Sequence, residues 1–183
     1  MRDGIEVCID DELPFEIPDS WAWTRLGDIG DTNIGLTYSP SYIAKTGVAV
    51  LRSNNIKDGK INYDELVHVN VDVPARAFAK TGDILICARN GSRKLVGKTA
   101  TIERDGIAFG AFMAIFRSQL NPFIKVFLDS SAFRVQFDGV ETTTINQVTQ
   151  NMLKSTLIAL PPIAEQYRIV DRVEQLLTIT EKL

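Results

Sequence analysis

The sequence predicts an α+β fold: a mainly antiparallel, twisted β-sheet with a few helices, followed by a projecting C-terminal helix of coiled-coil type. Three observations carry it. Runs of strand-like alternation between residues 48 and 117 are punctuated by the turn dipeptides Asp58-Gly59, Asn90-Gly91 and Asp105-Gly106. Asn121-Pro122 is a helix start, with proline at the first helical position. After Pro161-Pro162, Ile169, Val173, Leu176 and Leu183 recur at three- and four-residue steps, with Thr180 completing the series and Ile163, Val170 and Leu177 widening the stripe.

In chain order, residues 1–18 carry charges and two prolines and read as a surface lead-in. Trp21, Trp23, Leu26 and Ile29 supply the first core anchors, with Asp19 or Ser20 opening a short turn. Residues 31–47 are polar, hydroxyl-rich and glycine-containing, and predict an irregular loop of the kind that carries binding residues. Residues 48–69 predict two strands joined by turns. Asp83 to Ala88 and Lys98 to Glu103 predict further strands, and Asp105-Gly106 turns into another. Phe123, Val126, Phe127 and Phe133 then mark one face of a helix reaching about Phe137, and a polar Thr, Asn and Gln run from Thr142 leads into an apolar strand before the prolines. No internal repeat is evident.

Composition narrows the function. A chain of 183 residues suits one domain plus an appendage, burying roughly two thirds of its unfolded surface. Cys8 and Cys87 lack CxxC spacing, which points to free thiols in a reducing, cytoplasmic setting. No run is apolar enough to span a bilayer, and the acidic N-terminus does not resemble a signal peptide. The net charge of −3 conceals a segregation. Residues 1–30 hold eight acids against two basic residues, whereas residues 76–104 hold seven basic residues against two acids.

That basic stretch contains the sharpest motif, Arg89-Asn90-Gly91-Ser92-Arg93-Lys94-Leu95-Val96-Gly97-Lys98-Thr99. A P-loop is excluded: five residues separate Gly91 from Gly97 where four are needed, and a β-alternating run follows where a helix should start. Duplex DNA suits it better. Arg89, Arg93, Lys94 and Lys98 can pair phosphates or donate to guanine, and Asn90 and Ser92 can bond base edges or backbone. The competing explanation is a solvated hairpin tip. Candidate cooperating residues are Thr37 and Tyr38 in one loop, Arg52, Asn54, Asn55 and Lys57 in a second, and Thr143, Asn146 and Gln147 in the late polar run. Residues of that last run equally suit turn capping and local backbone bonding. Catalysis finds little support: His68 is the sole histidine and lies in a strand-like run, and no nucleophile or metal motif appears.

Several segments in this order, LPFEIPDSWAWTRLGDI, NNIKDGKI, GDILICARNGSRKLVGKTATI and TTTINQVTQNMLKSTLIALPPIAEQYRIV, resemble the specificity subunit of type I restriction-modification enzymes from Leu13 onward. The resemblance implies a lead-in over residues 1–18, a DNA target recognition domain over 19–160 and the start of a conserved spacer helix over 161–183. It implies a non-catalytic chain that reads one half of a bipartite double-stranded DNA target and positions methyltransferase subunits, with restriction subunits joining the assembly. S-adenosylmethionine, ATP and magnesium are then expected on the partner subunits and no cofactor on this chain. With one recognition domain and only the beginning of a helix, a fragment or half-subunit is expected. Ile169, Val173, Leu176 and Leu177 are the candidate partner-binding residues, facing a methyltransferase subunit, a second recognition domain or a second copy of the chain. Two other function classes remain beside it: a protein-interaction scaffold without DNA contact, which footprinting would expose, and a nucleotide enzyme, which phosphate release would reveal.

Overall fold

The computed structural model describes Cys8, residues 10–136 and residues 147–180. In chain order, β1 (Ala22–Arg25) leads through the single turn α1 (Leu26–Ile29) into β2 (Asp31–Ile34). The short strands β3 (Ile43–Ala44), β4 (Val48–Leu51), β5 (Ile56–Lys57), β6 (Lys60–Ile61) and β7 (Val67–Val69) follow. Next come β8 (Ile84–Cys87), β9 (Thr99–Thr101), β10 (Ala108–Phe109) and β11 (Met113–Arg117). The chain continues through α2 (Asn121–Asp129), α3 (Ser131–Val135), α4 (Gln150–Ser155), β12 (Leu157–Leu160) and α5 (Ile163–Thr180).

A four-stranded antiparallel sheet in the order β2-β11-β8-β9 forms the middle layer. Its two faces are sorted by residue parity. Ile84, Ile86, Ala114 and Phe116 point into a core with Ile124, Leu128, Phe133 and Leu153 from the helices. Leu85, Cys87, Met113 and Ile115 point the other way, onto Leu51, Ile56, Ile61 and Phe109. Strands covered on both faces lose polar alternation, so Ile84–Cys87 is buried at every position. Each large side chain in these layers contributes about 1.5–3 kcal/mol through burial.

The second sheet runs β10-β4-β7-β3, antiparallel except for the parallel β10–β4 pair. It closes a smaller core of Leu36, Val50, Val69, Ala77 and Ala108. Between its strands, β5 and β6 form a hairpin whose turn residues have φ values of 50° at Asp58 and 72° at Gly59. Asp-Gly is the pair that tolerates this geometry.

At the base of the middle sheet, Arg117 donates to both carboxylate oxygens of buried Asp83 at 2.7 and 2.6 Å. Those bonds raise the guanidinium pKa above its ordinary value. β1 pairs with β12, Ala22 against Leu160, so the first and last strands of the globule lie side by side.

Several expectations need correction. Trp21 and Trp23 are half-buried rather than core, because β1 pairs only with β12 outside the main sheet while Leu26 and Ile158 fill the interior. Trp23 meets Phe15 edge-on at 5.0 Å, and Trp21 Nε1 donates to Glu165 Oε2 at 3.2 Å. Residues 31–47 are not an irregular loop throughout: β2 completes the middle sheet, and Thr32 is buried where Gln150 Nε2 donates to its carbonyl at 2.8 Å. Residues 48–69 form four short strands instead of two.

The helix expected from Asn121 to about Phe137 breaks at Ser130, whose hydroxyl turns back onto the Phe127 carbonyl at 2.6 Å. The late polar run contains a helix, α4, capped by the Thr149 hydroxyl accepting the Met152 N–H at 3.2 Å. Only Leu153 of its six residues is buried, too faint a periodicity to announce it.

α5 is divided along its length. Its first half packs on α2 and the helical core: Gln166 is buried with its amide on the Pro161 carbonyl at 2.8 Å, and Ile169 and Val170 cover the core edge. Ile169 therefore serves its own domain, correcting its assignment to a partner. Val173 is half-buried, and from Leu176 to Thr180 every side chain is exposed. Leu183 lies outside the described residues.

Candidate nucleic-acid interface

The strand directions bring four loops to one end of the molecule. In the middle sheet Met113 pairs with Cys87, Ala114 with Ile34 and Ile86 with Thr99, so β8 and β2 end where β11 and β9 begin. In the second sheet Phe109 pairs with Leu51, so β4 and β10 both finish together. The two sets meet at Gly110, whose N–H donates to the Leu51 carbonyl at 2.9 Å and which bridges Leu36. A side chain at Gly35 would come within 2.2 Å of the Phe109 carbonyl, so this close approach requires glycine. Loops 35–42, 52–57, 88–98 and 110–112 thus issue from a single end. Two described residues of the late polar run lie there too: Gln147 bridges Arg89, and the Val148 N–H donates to the Ala88 carbonyl at 2.7 Å.

The sequence-chosen residues separate into three groups. Thr37, Arg52, Asn54, Lys57, Arg89, Ser92, Arg93 and Lys94 are exposed. Tyr38, Asn90, Lys98 and Gln147 are half-buried; Tyr38 packs on the smaller core, and Lys98 borders β9. Asn55 is 1% exposed, and its amide takes the Arg52 N–H at 2.9 Å while donating to the Asn62 and Glu65 carbonyls at 3.1 and 3.3 Å. It is a fastener for its loop and has no free edge for a base, which corrects its candidacy. Thr143 and Asn146 lie outside the described residues.

Asn90 ties two loops together. Its Nδ2 donates to Ser53 Oγ at 3.1 Å, and its Oδ1 accepts the Ser92 N–H at 2.9 Å. This fixes the start of the basic loop against the 52–57 loop, and a short 3-10 turn at Arg93–Leu95 then lifts Arg93 and Lys94 to the surface. Beneath the loop, burial pushes the Cys87 thiol pKa up, against smaller opposing pulls from hydrogen bonding to the Asn90 side chain and the Arg89 backbone and from the charge of Lys98. Such a thiol stays protonated and behaves as a packing group.

One residue escaped the sequence reasoning. Phe112 stands a step before the apolar β11, where a phenylalanine reads as core, yet it is 57% exposed. The Arg89 guanidinium lies over its ring, 5.2 Å from the centroid. The end surface therefore joins cations, amides, hydroxyls and an aromatic ring on a framework of two sheets. Such a mixture suits phosphates and base edges. Among the described residues no group of acids, cysteines and histidines is arranged to hold a metal ion, and no helix is long and apolar enough to cross a membrane.

Comparison with known proteins gives this surface its context. The family model described as the type I restriction modification DNA specificity domain matches residues 18–183. The chain belongs to that family. Among curated relatives of this specificity-domain family, the type I restriction enzyme EcoAI specificity subunit of Escherichia coli is 26% identical, over 95% of this chain and 31% of its own length. The EcoKI specificity subunit of Escherichia coli (strain K12) is 27% identical, over 88% of this chain and 37% of its own. The fold is shared with the HsdS subunit of Thermoanaerobacter tengcongensis, at a TM-score of 0.70 and 21% identity over 92% of this chain and 40% of that one. The chain thus spans between about a third and two fifths of the length of these relatives.

Proposed function

We propose that residues 19–160 form a target recognition domain that reads one half of a bipartite duplex DNA sequence through the loop-bearing end, and that residues 161–183 form a docking arm. The observation that carries this reading is the meeting of both sheets at Gly110, which gathers the polar and basic loops into one surface. The pairing of Ala22 with Leu160 supports the unit's boundaries, since the first and last strands close the globule on each other. The exposed outer half of α5 supports the arm. In this reading the chain contributes specificity and no reaction. Methyltransferase and restriction subunits carry S-adenosylmethionine, ATP and magnesium and do the chemistry, and α5 joins the helical spacer that seats them.

The local electrostatics fit. A formal net charge of −3 would repel a polyanion if it were spread evenly. Arg52, Lys57, Arg89, Arg93, Lys94 and Lys98 instead lie at or beside one end.

The test is a salt titration of the complete specificity complex carrying this chain, on a duplex containing its methylation-mapped target. Arg93→Ala, Lys94→Ala and Lys98→Ala combined should weaken binding and reduce the log–log salt slope by about 2.7, at about 0.9 per phosphate contact. Unchanged affinity and slope, with no protected bases in a footprint, would remove this end from the DNA.

A further inference from the structure

A lone exposed phenylalanine is ordinary on a protein surface. Phe112 differs in how firmly it is held and in what stands over it. It lies in a turn closed by the Met113 N–H on the Gly110 carbonyl at 2.8 Å. Its own carbonyl accepts two N–H groups, from Ala88 at 2.9 Å and from Arg89 at 3.0 Å. The backbone is thereby pinned to the end of β8, and the ring stays 57% exposed beside Arg89.

The position of Arg89 decides what such a ring can do on a duplex. An intercalating wedge needs both faces free to enter a base step. Here one face lies under a guanidinium, 5.2 Å from the ring centroid, in cation–π geometry. What remains is the rim and the other face, which suit a sideways apolar contact such as the 5-methyl group of thymine in the major groove. The ring in turn restricts the guanidinium, so that its donors approach a neighbouring base edge as a preset fork. Guanine O6 and N7 form the acceptor pair that matches a fork. Asn90, fastened to Ser53 and Ser92, holds the chain beyond Arg89 in place.

We propose that Phe112 and Arg89 act as one base-reading pair, the ring packing on a thymine 5-methyl group while the guanidinium held against it donates to a guanine in the adjacent base pair. The pair rests on the duplex-facing surface proposed above and adds to it a specificity-determining residue outside the polar set.

The experiment selects sites from a randomised duplex pool with the complete complex, using the wild type, Phe112→Ala, Phe112→Leu and Arg89→Lys. Wild-type sites should contain a thymine beside a guanine. Phe112→Ala should lose the preference at the thymine alone, Phe112→Leu should keep much of it, and Arg89→Lys should relax the guanine. Replacing that thymine by deoxyuridine should weaken wild-type binding on the order of tenfold and leave Phe112→Ala unaffected. Non-specific affinity and salt slope should be the same for Phe112→Ala and the wild type. If Phe112→Ala selects the wild-type sites, or if no thymine-to-deoxyuridine replacement affects the wild type, the pair is refuted. The deoxyuridine result needs no variant, so a null result refutes the pair even if Phe112→Ala unfolds, and loss of the thymine preference in Phe112→Ala or its retention in Phe112→Leu assigns a positive one to the ring. An impaired triple basic-loop variant beside either negative result removes only the pair, whereas an unimpaired one removes the surface itself.

Discussion

The carboxamide of Asn55 takes the N–H of Arg52 and gives its own two hydrogens to the carbonyls of Asn62 and Glu65, inside the protein at 1% exposure. Its neighbour Asn54 is exposed. Asn55→Ala should therefore cost about 2–3 kcal/mol, because it strands buried backbone groups, while Asn54→Ala should stay within about 0.5 kcal/mol. Urea unfolding of both variants checks this, and equal midpoints would contradict it. The cysteines differ in the same manner: Cys8 is exposed, whereas Cys87 is 1% exposed with its thiol pKa raised by burial. Iodoacetamide should modify Cys8 in the folded protein and Cys87 only after denaturation, as read by peptide mass. Nothing in two adjacent asparagines or two distant thiols tells which is enclosed, since that depends on how the surrounding chain folds over each of them.

At the scale of elements, α5 divides its apolar stripe between a half that packs on its own domain and a half that is exposed. Ile169 and Val170 cover the edge of the helical core, while Leu176, Leu177 and Ile179 are 48%, 57% and 58% exposed. Ile169→Asp should lower the stability of the domain by about 2–3 kcal/mol, because it puts a charge against apolar packing. Leu176→Asp with Leu177→Asp should leave the unfolding midpoint within experimental error and abolish co-purification with the methyltransferase subunit. Retained co-purification would remove the docking role from this face. Periodicity disclosed the stripe and could not divide it, because a 3.6-residue repeat records which side of a helix is apolar and not what covers it. The short α4 shows the opposite limit. With Leu153 as its one buried residue it leaves little periodic trace, and its place is set by the Thr149 cap and by Gln150 bonding the Thr32 carbonyl.

Across the whole molecule, the middle sheet is enclosed by helices on one face and by the second sheet on the other, which leaves its ends as the places where polar loops collect. The salt titration and the site selection belong to this scale, since both ask whether separately encoded loops act as one surface. Affinity from the basic loop should fall with salt in proportion to the phosphates it neutralises, whereas readout by Phe112 and Arg89 should show as preference between sequences at fixed salt.

The sequence by itself determined the α+β class, the strands at 84–87 and 99–101, the Asp-Gly turn at 58–59, the start of α2, the terminal amphipathic helix, the segregation of charge and the resemblance that the family match bears out. These are local patterns, written in residue spacing and in the φ preferences of Asp-Gly and Pro. Tertiary structure alone decided that the two sheets meet at Gly110, that Asn55 and Ile169 serve the interior, that the tryptophans stand aside from the core, and that Phe112 comes out beneath Arg89. Those outcomes depend on which strands pair and on which end of each sheet a loop emerges from. For all but Asn55, whose partners Arg52, Asn62 and Glu65 lie within ten residues of it, partners many residues apart along the chain set them, and no short window of sequence contains both partners.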